Sequence, residues 1–137
     1  MQTILGGNGT IGSVLAKELT KYTNSIRLVS RHPKKVNATD ELFPADLSDP
    51  EQVEKAIAGS EVVYLLVGFE YTLKVWQDKW PMLMQATIDA CIKHHAKLVF
   101  FDNVYLTSFP QSLFKGERGA RPYWFEKILF IDAFSNY

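Results

Sequence analysis

Four glycines within seven residues, Gly6-Gly7-Asn8-Gly9-Thr10-Ile11-Gly12, restrict this chain more than any other stretch. They follow a short apolar run, Met1-Gln2-Thr3-Ile4-Leu5, and precede the amphipathic Val14-Leu15-Ala16-Lys17-Glu18-Leu19. The order predicts a strand, a tight turn and a helix start. Glycines at a helix start let a ligand approach the backbone, because no side chain holds it away. The first turn of a helix also carries N–H groups without intrahelical partners and the positive end of the helix dipole. An anion is the natural occupant of such a turn. Gly6 is expected to make the tight turn, Gly9 to admit the ligand, and Gly12 to let the helix pack close to the strand. Asn8, Thr10 and Ile11 would present backbone N–H groups, and the side chains of Asn8 and Thr10 are candidates for further bonds.

The rest of the chain alternates strand and helix signals. Strands are expected at 2–5, 26–30, 41–43, 62–67 and 97–101, the third stopped by Pro44. Helices are expected at about 10–21, from Ser48-Asp49-Pro50-Glu51 to near Gly59, and at about 71–94. The second has a capping residue, a proline in its first turn and an acid there. Pro81 lies inside the last helix and predicts a kink or a restart. Residues 33–40 are polar and fit either a short helix or a loop. Alternation of this kind implies a parallel sheet covered on both faces. Right-handed crossovers give the strand order 3-2-1-4-5, the doubly wound, Rossmann-like α/β arrangement.

With 137 residues, 47% of them hydrophobic, the chain suits one domain with a sizeable core, spanning 1–137. Lys+Arg and Asp+Glu number 15 each, so no global field favours nucleic acid or an anionic membrane. No apolar run is long enough to span a bilayer. One cysteine, Cys91, cannot form an internal disulfide, and the cytoplasm is the expected compartment. Cys91 is read as a core residue. His94 and His95 are read as cations at a helix end, with no ligand spacing around them for a metal.

Within a strand–turn–helix unit, the spacing Gly6-x-x-Gly9-x-x-Gly12 fits the pyrophosphate of a dinucleotide. Three further segments accompany it: Ala45-Asp46-Leu47 after strand 3, Val67-Gly68 after strand 4, and Lys97-Leu98-Val99-Phe100-Phe101-Asp102-Asn103-Val104-Tyr105 at strand 5. In this order they resemble the short-chain dehydrogenase/reductase superfamily, above all its extended branch of NAD-dependent epimerases and dehydratases. The resemblance covers roughly residues 1–106. It implies a nicotinamide dinucleotide as cofactor. Asp46 would accept from the adenine amino group or simply order the turn after strand 3, with Leu47 against the ring. Val67 and Gly68 would face the cofactor with backbone.

The end of strand 2 bears on which dinucleotide is held. NAD binders usually place an acid there for the ribose 2′-hydroxyl. Here the sequence is Val29-Ser30-Arg31-His32, with Lys34 and Lys35 beyond. A planar, permanently charged Arg31 suits a 2′-phosphate, and Ser30 adds a hydroxyl. NADP is therefore expected ahead of NAD.

The resemblance also implies a Tyr-x-x-x-Lys pair and a Ser or Thr after strand 5. Tyr123 and Lys127 have that internal spacing, slightly nearer strand 5 than is usual in the superfamily. At the Ser/Thr position the chain reads Asp102-Asn103, where Asn103 offers a hydrogen-bond donor. Thr107-Ser108 stand where the superfamily often has Tyr-Gly. Residues 107–137 form a divergent, aromatic-rich tail without the superfamily's substrate-binding region. Natural truncation, an altered reading frame and a divergent ending all fit that tail. The expected function is an NADP(H)-dependent oxidoreductase or epimerase/dehydratase-like activity on a sugar nucleotide or other small carbonyl or alcohol compound. The alternatives are a non-catalytic, redox-sensing dinucleotide-binding module and a truncated inactive product. A homodimer is a further expectation, with Trp76, Trp80 and Met84 as interface candidates or core residues.

Overall fold

The computed structural model describes residues 1–69, 73–101 and 130–131. Its elements run β1 Gln2–Leu5, α1 Thr10–Leu19, β2 Ile26–Ser30, β3 Glu41–Pro44, α2 Pro50–Ile57, β4 Val62–Leu65, α3 Leu73–Lys93, β5 Lys97–Phe100 and β6 Phe130–Ile131. The sheet order is β3-β2-β1-β4-β5-β6. The first five strands are parallel, in the expected order 3-2-1-4-5. β6 was not foreseen: it pairs antiparallel with β5, Leu98 opposite Ile131 and Val99 opposite Phe130. The all-parallel expectation therefore gains an antiparallel edge, a common addition to open α/β sheets.

Strand alternation divides the core between the two faces of the sheet. Ile4, Ile26 and Leu28 pack against Ala16 and Leu19 of α1. Leu5, Val29, Val63, Leu65, Leu98 and Phe100 pack on the other side with α2 and α3. β1 lies in the middle of this double layer, and Thr3, Ile4 and Leu5 are fully buried. Its one polar member among these, Thr3, shares a hydrogen bond of 2.6 Å with Ser60, which meets the cost of burying both hydroxyls.

Each helix follows from its spacing. α1 buries Gly12, Ala16 and Leu19, and α2 buries Val53, Ala56 and Ile57. On α3 the buried Trp80, Leu83, Thr87, Ala90 and Cys91 recur at intervals of three, four, three and one. α3 continues without restart through Pro81. Pro81 and Gln77 both lie on the exposed face, so the carbonyl freed by the missing N–H is on the water side. Residues 33–40 form a loop rather than a helix.

Trp80 settles into the core, its ring 5.3 Å from Phe100 and edge-on to Phe69 at 6.1 Å. Met84 packs against the same cluster, while the side chain of Trp76 lies outside the described residues. Arg27 fastens the β3 edge. It donates to Glu41 at 2.7 Å and to the carbonyls of Ala56 and Ala58 at the end of α2, and lies 5.4 Å from the Phe43 ring centroid.

Candidate functional site

Parallel strands send their outgoing loops to one edge of the sheet. The turns after β1, β2, β3 and β4 meet there, next to the point where the chain has wound one way from β1 and then the other. They enclose an open groove of about 300 Å³. Its walls include seven residues expected from the sequence: Gly6, Ser30, Arg31, Asp46, Leu47, Val67 and Gly68.

Beside the groove lie the turn and the start of α1. Gly6 has φ +87°, a conformation that side chains rarely adopt, and a Cβ there would stand 3.0 Å from the Leu66 carbonyl oxygen. At Gly12 a Cβ would meet the carbonyl oxygens of Gly6 at 2.6 Å and Gly7 at 2.9 Å. Gly12 thus lets the helix close upon the turn itself, more than upon the strand. Gly9 is the N-cap of α1, exposed, with no side chain to cap the helix and no acid in its first turn. Among the described residues, the N–H groups of Asn8, Thr10, Ile11 and Gly12 have no acceptor, while Ser13 N–H reaches Gly9 O at 2.9 Å.

The contrast with α2 is instructive. There the Asp49 carboxylate accepts from Glu51 N–H at 3.0 Å, and Glu51 adds negative charge to the first turn. One helix start is completed by the protein, and the other is left open to an anion at the ligand edge of the sheet.

Asn8 uses its carboxamide within the protein. Nδ2 donates to Lys34 O at 2.7 Å, and Oδ1 accepts from Lys34 N–H at 2.8 Å and from Ser30 Oγ at 3.3 Å. Arg31 projects from the loop so fixed, exposed and without hydrogen bond or ion pair among the described residues. Asp46 orders the turn after β3. Its Oδ1 accepts from Ser48 N–H at 2.9 Å and Ser48 Oγ at 2.7 Å. These two bonds hold its carboxyl below the ordinary carboxylate range, helped by the positive charges of Arg31 and Lys79.

Ala45, part of the Ala45-Asp46-Leu47 motif, also lines the groove, and three groove residues escaped the sequence reading: Ser48, Phe69 and Lys79. Ser48 and Phe69 adjoin expected positions, so widening each motif would have found them. Lys79 arrives from α3, and no local signal marks it. The expected catalytic residues Tyr123, Lys127 and Asn103 lie outside the described residues. Among the described residues no cluster of His, Cys, Asp or Glu suits a metal ion, and no helix is long and apolar enough to cross a membrane.

An open helix start, a glycine turn at the switch point and a groove reaching the exposed Arg31 together define a dinucleotide-binding α/β domain. The chain belongs to the NAD(P)H-binding family, which matches residues 6–127. No protein of curated function matches it by sequence.

Among solved structures the chain is similar to uronate dehydrogenase from Agrobacterium tumefaciens, a mutant of which is complexed with NAD. The TM-score is 0.66 at 20% identity, over 74% of this chain and 40% of that one. It is also similar to glucuronic acid dehydrogenase from Chromohalobacter salexigens, with TM-score 0.67 at 18% identity over 81% and 44% of the two chains. A Rossmann-fold NAD(P)-binding family protein from Shigella flexneri gives TM-score 0.58 at 20% identity over 72% and 49%. At these identities the likeness establishes the fold. The chain spans less than half the length of each of these proteins.

Proposed function

We propose that this protein binds NADP(H) and acts as an oxidoreductase or epimerase/dehydratase-like enzyme on a sugar nucleotide or another small carbonyl or alcohol compound. Arg31 carries the choice of cofactor. It stands at the end of β2, where an NAD site has an acid, and at the groove wall its guanidinium has no hydrogen bond or ion pair among the described residues. The substrate class draws support from the shared fold with dehydrogenases of uronate and glucuronic acid.

In this reading the N–H groups of Asn8, Thr10 and Ile11 bind the pyrophosphate, with Gly6, Gly9 and Gly12 keeping the turn open. Arg31 holds the 2′-phosphate, with Ser30 beside it, its one hydroxyl proton given to Asn8 Oδ1. Asp46 accepts from the adenine amino group through Oδ2, which has no partner among the described residues. Leu47 lies against the ring, and Val67 and Gly68 line the adenosine side with backbone. The bound nicotinamide supplies hydride exchange. Tyr123 holds or moves the substrate proton at its Oη, Lys127 lowers the tyrosine pKa, and Asn103 donates to the substrate oxygen. One domain spans 1–137, with 107–137 as its divergent part. The buried, unpaired Cys91 suits a cytoplasmic, reducing compartment.

Calorimetric titration with NADPH and, separately, NADH tests the reading. Tighter binding of NADPH is expected. Equal affinities would remove the 2′-phosphate role of Arg31, and binding of neither would remove the cofactor site. A second reading, a dinucleotide-binding module without turnover, is favoured by Asp102-Asn103 standing where the catalytic hydroxyl is expected. Turnover unchanged by Tyr123→Phe would remove the catalytic assignment.

A further inference from the structure

We infer that Asn8 sets the preference for a 2′-phosphorylated dinucleotide indirectly, by fixing the basic loop after β2 to the glycine turn. The inference rests on the NADP(H) reading above. Asn8 and Lys34 are 26 residues apart in sequence, yet the carboxamide pairs with both peptide groups of Lys34, at 2.7 and 2.8 Å. Carbonyl facing N–H and amide facing C=O admit one orientation of the side chain, so the assignment of its oxygen and nitrogen is determined by its partners. The same Oδ1 takes the Ser30 hydroxyl at 3.3 Å.

The far half of the loop is pinned independently. Asp40 is 3% exposed and accepts from the N–H groups of Val36 and Asn37, at 3.0 and 2.6 Å. Asn37 in turn donates to the Ala16 carbonyl of α1 at 2.9 Å. Between Ser30 and Lys34 only Arg31, His32 and Pro33 remain, and Pro33 fixes its own φ. Arg31 is therefore confined between two points that Asn8 holds.

This separates two roles at one position. A pyrophosphate is met by backbone N–H, which almost any residue supplies at position 8. The side chain at position 8 is instead read out at the 2′-phosphate, through the direction of Arg31. The ordering of the loop is met in the free protein rather than at binding, which favours affinity. Asn8 is thus a positioning residue for the 2′-phosphate.

The test is a double-mutant cycle on the full chain, read by calorimetric titration with NADPH and NADH. In the unsubstituted background Arg31→Ala should weaken NADPH by about tenfold or more, and in the Asn8→Ala background by less than about threefold. The ratio of NADPH to NADH affinity should fall in Asn8→Ala alone, a change that general loosening of the turn would not produce. Equal losses from Arg31→Ala in both backgrounds, with NADPH still bound tightly by the unsubstituted chain, would overturn the inference and leave the NADP(H) reading standing. Binding of neither nucleotide by the unsubstituted chain would overturn both. Hydrogen exchange on the unsubstituted protein needs no variant to fold. A slowed Lys34 amide is expected, and exchange at the rate of an unstructured peptide would overturn the clamp.

Discussion

A methyl group on Gly12 would stand 2.6 Å from the carbonyl oxygen of Gly6. In an ordinary helix interior, replacing glycine by alanine gains up to about 1 kcal/mol. Here backbone meets backbone, and neither side can swing away. Gly12→Ala is expected to destabilise the fold by roughly 1–3 kcal/mol, by the measure of overpacked sites. It should also weaken NADPH at least tenfold (about 1.4 kcal/mol), because the N–H groups of the turn are displaced together. Urea unfolding and calorimetry read the two effects. Gly68→Ala is the control: a Cβ there meets nothing within 4 Å, so stability should stay within about 0.5 kcal/mol.

Arg31→Ala should leave NADH affinity within about twofold and reduce that for NADPH by about tenfold or more, the scale of one charge-assisted phosphate contact. Arg31→Lys should fall between, since an ammonium keeps the charge and loses the planar fork. The NADPH loss should shrink as salt is raised. Equal loss for the two nucleotides would place Arg31 away from the 2′-phosphate.

The sheet order was legible because each strand and helix carries its own period, and parallel crossovers allow few arrangements. The glycine turn was legible for a related reason: its geometry is local. The pairing of Asn8 with Lys34 was not, since its bonds join segments 26 residues apart and nothing in either segment calls for the other. Lys79 reaches the groove from a helix whose face is set by tertiary packing. β6 is two residues long and is held by backbone pairing, which leaves no periodic trace. Pro81 was legible in part: of the kink or restart that the sequence suggests, the restart is absent, because its exposed position lets α3 continue.

The Asp46–Ser48 bonds predict a pH effect. The folded carboxyl titrates below its ordinary value of 3.8. The bonds therefore stabilise the turn fully above that value, and the contribution is lost as pH falls through the lower, folded value. Ser48→Ala removes the hydroxyl bond and leaves the backbone one. The Asp46 pKa, followed by carboxyl carbon NMR, should rise part of the way back, and an unchanged pKa would remove the hydroxyl from its causes.

Cys91 is 1% exposed, and burial pushes its thiol pKa up to about 12. Thiolate is the reactive form, so both access and ionisation oppose modification. Iodoacetamide at pH 8 should leave the native protein unlabelled and label it in step with unfolding by denaturant. Rapid labelling without loss of structure would contradict the buried site.

The two helix starts on this domain age differently as the protein meets its surroundings. α2 is finished at synthesis, because Asp49 and Glu51 belong to the chain. Among the described residues α1 has neither a capping side chain nor an acid in its first turn, which leaves its start to an anion from solution. Any anion seated there becomes, in effect, part of the secondary structure. The nucleotide pool of the cell then sets a share of the stability of this fold, growing with the logarithm of free nucleotide above its dissociation constant.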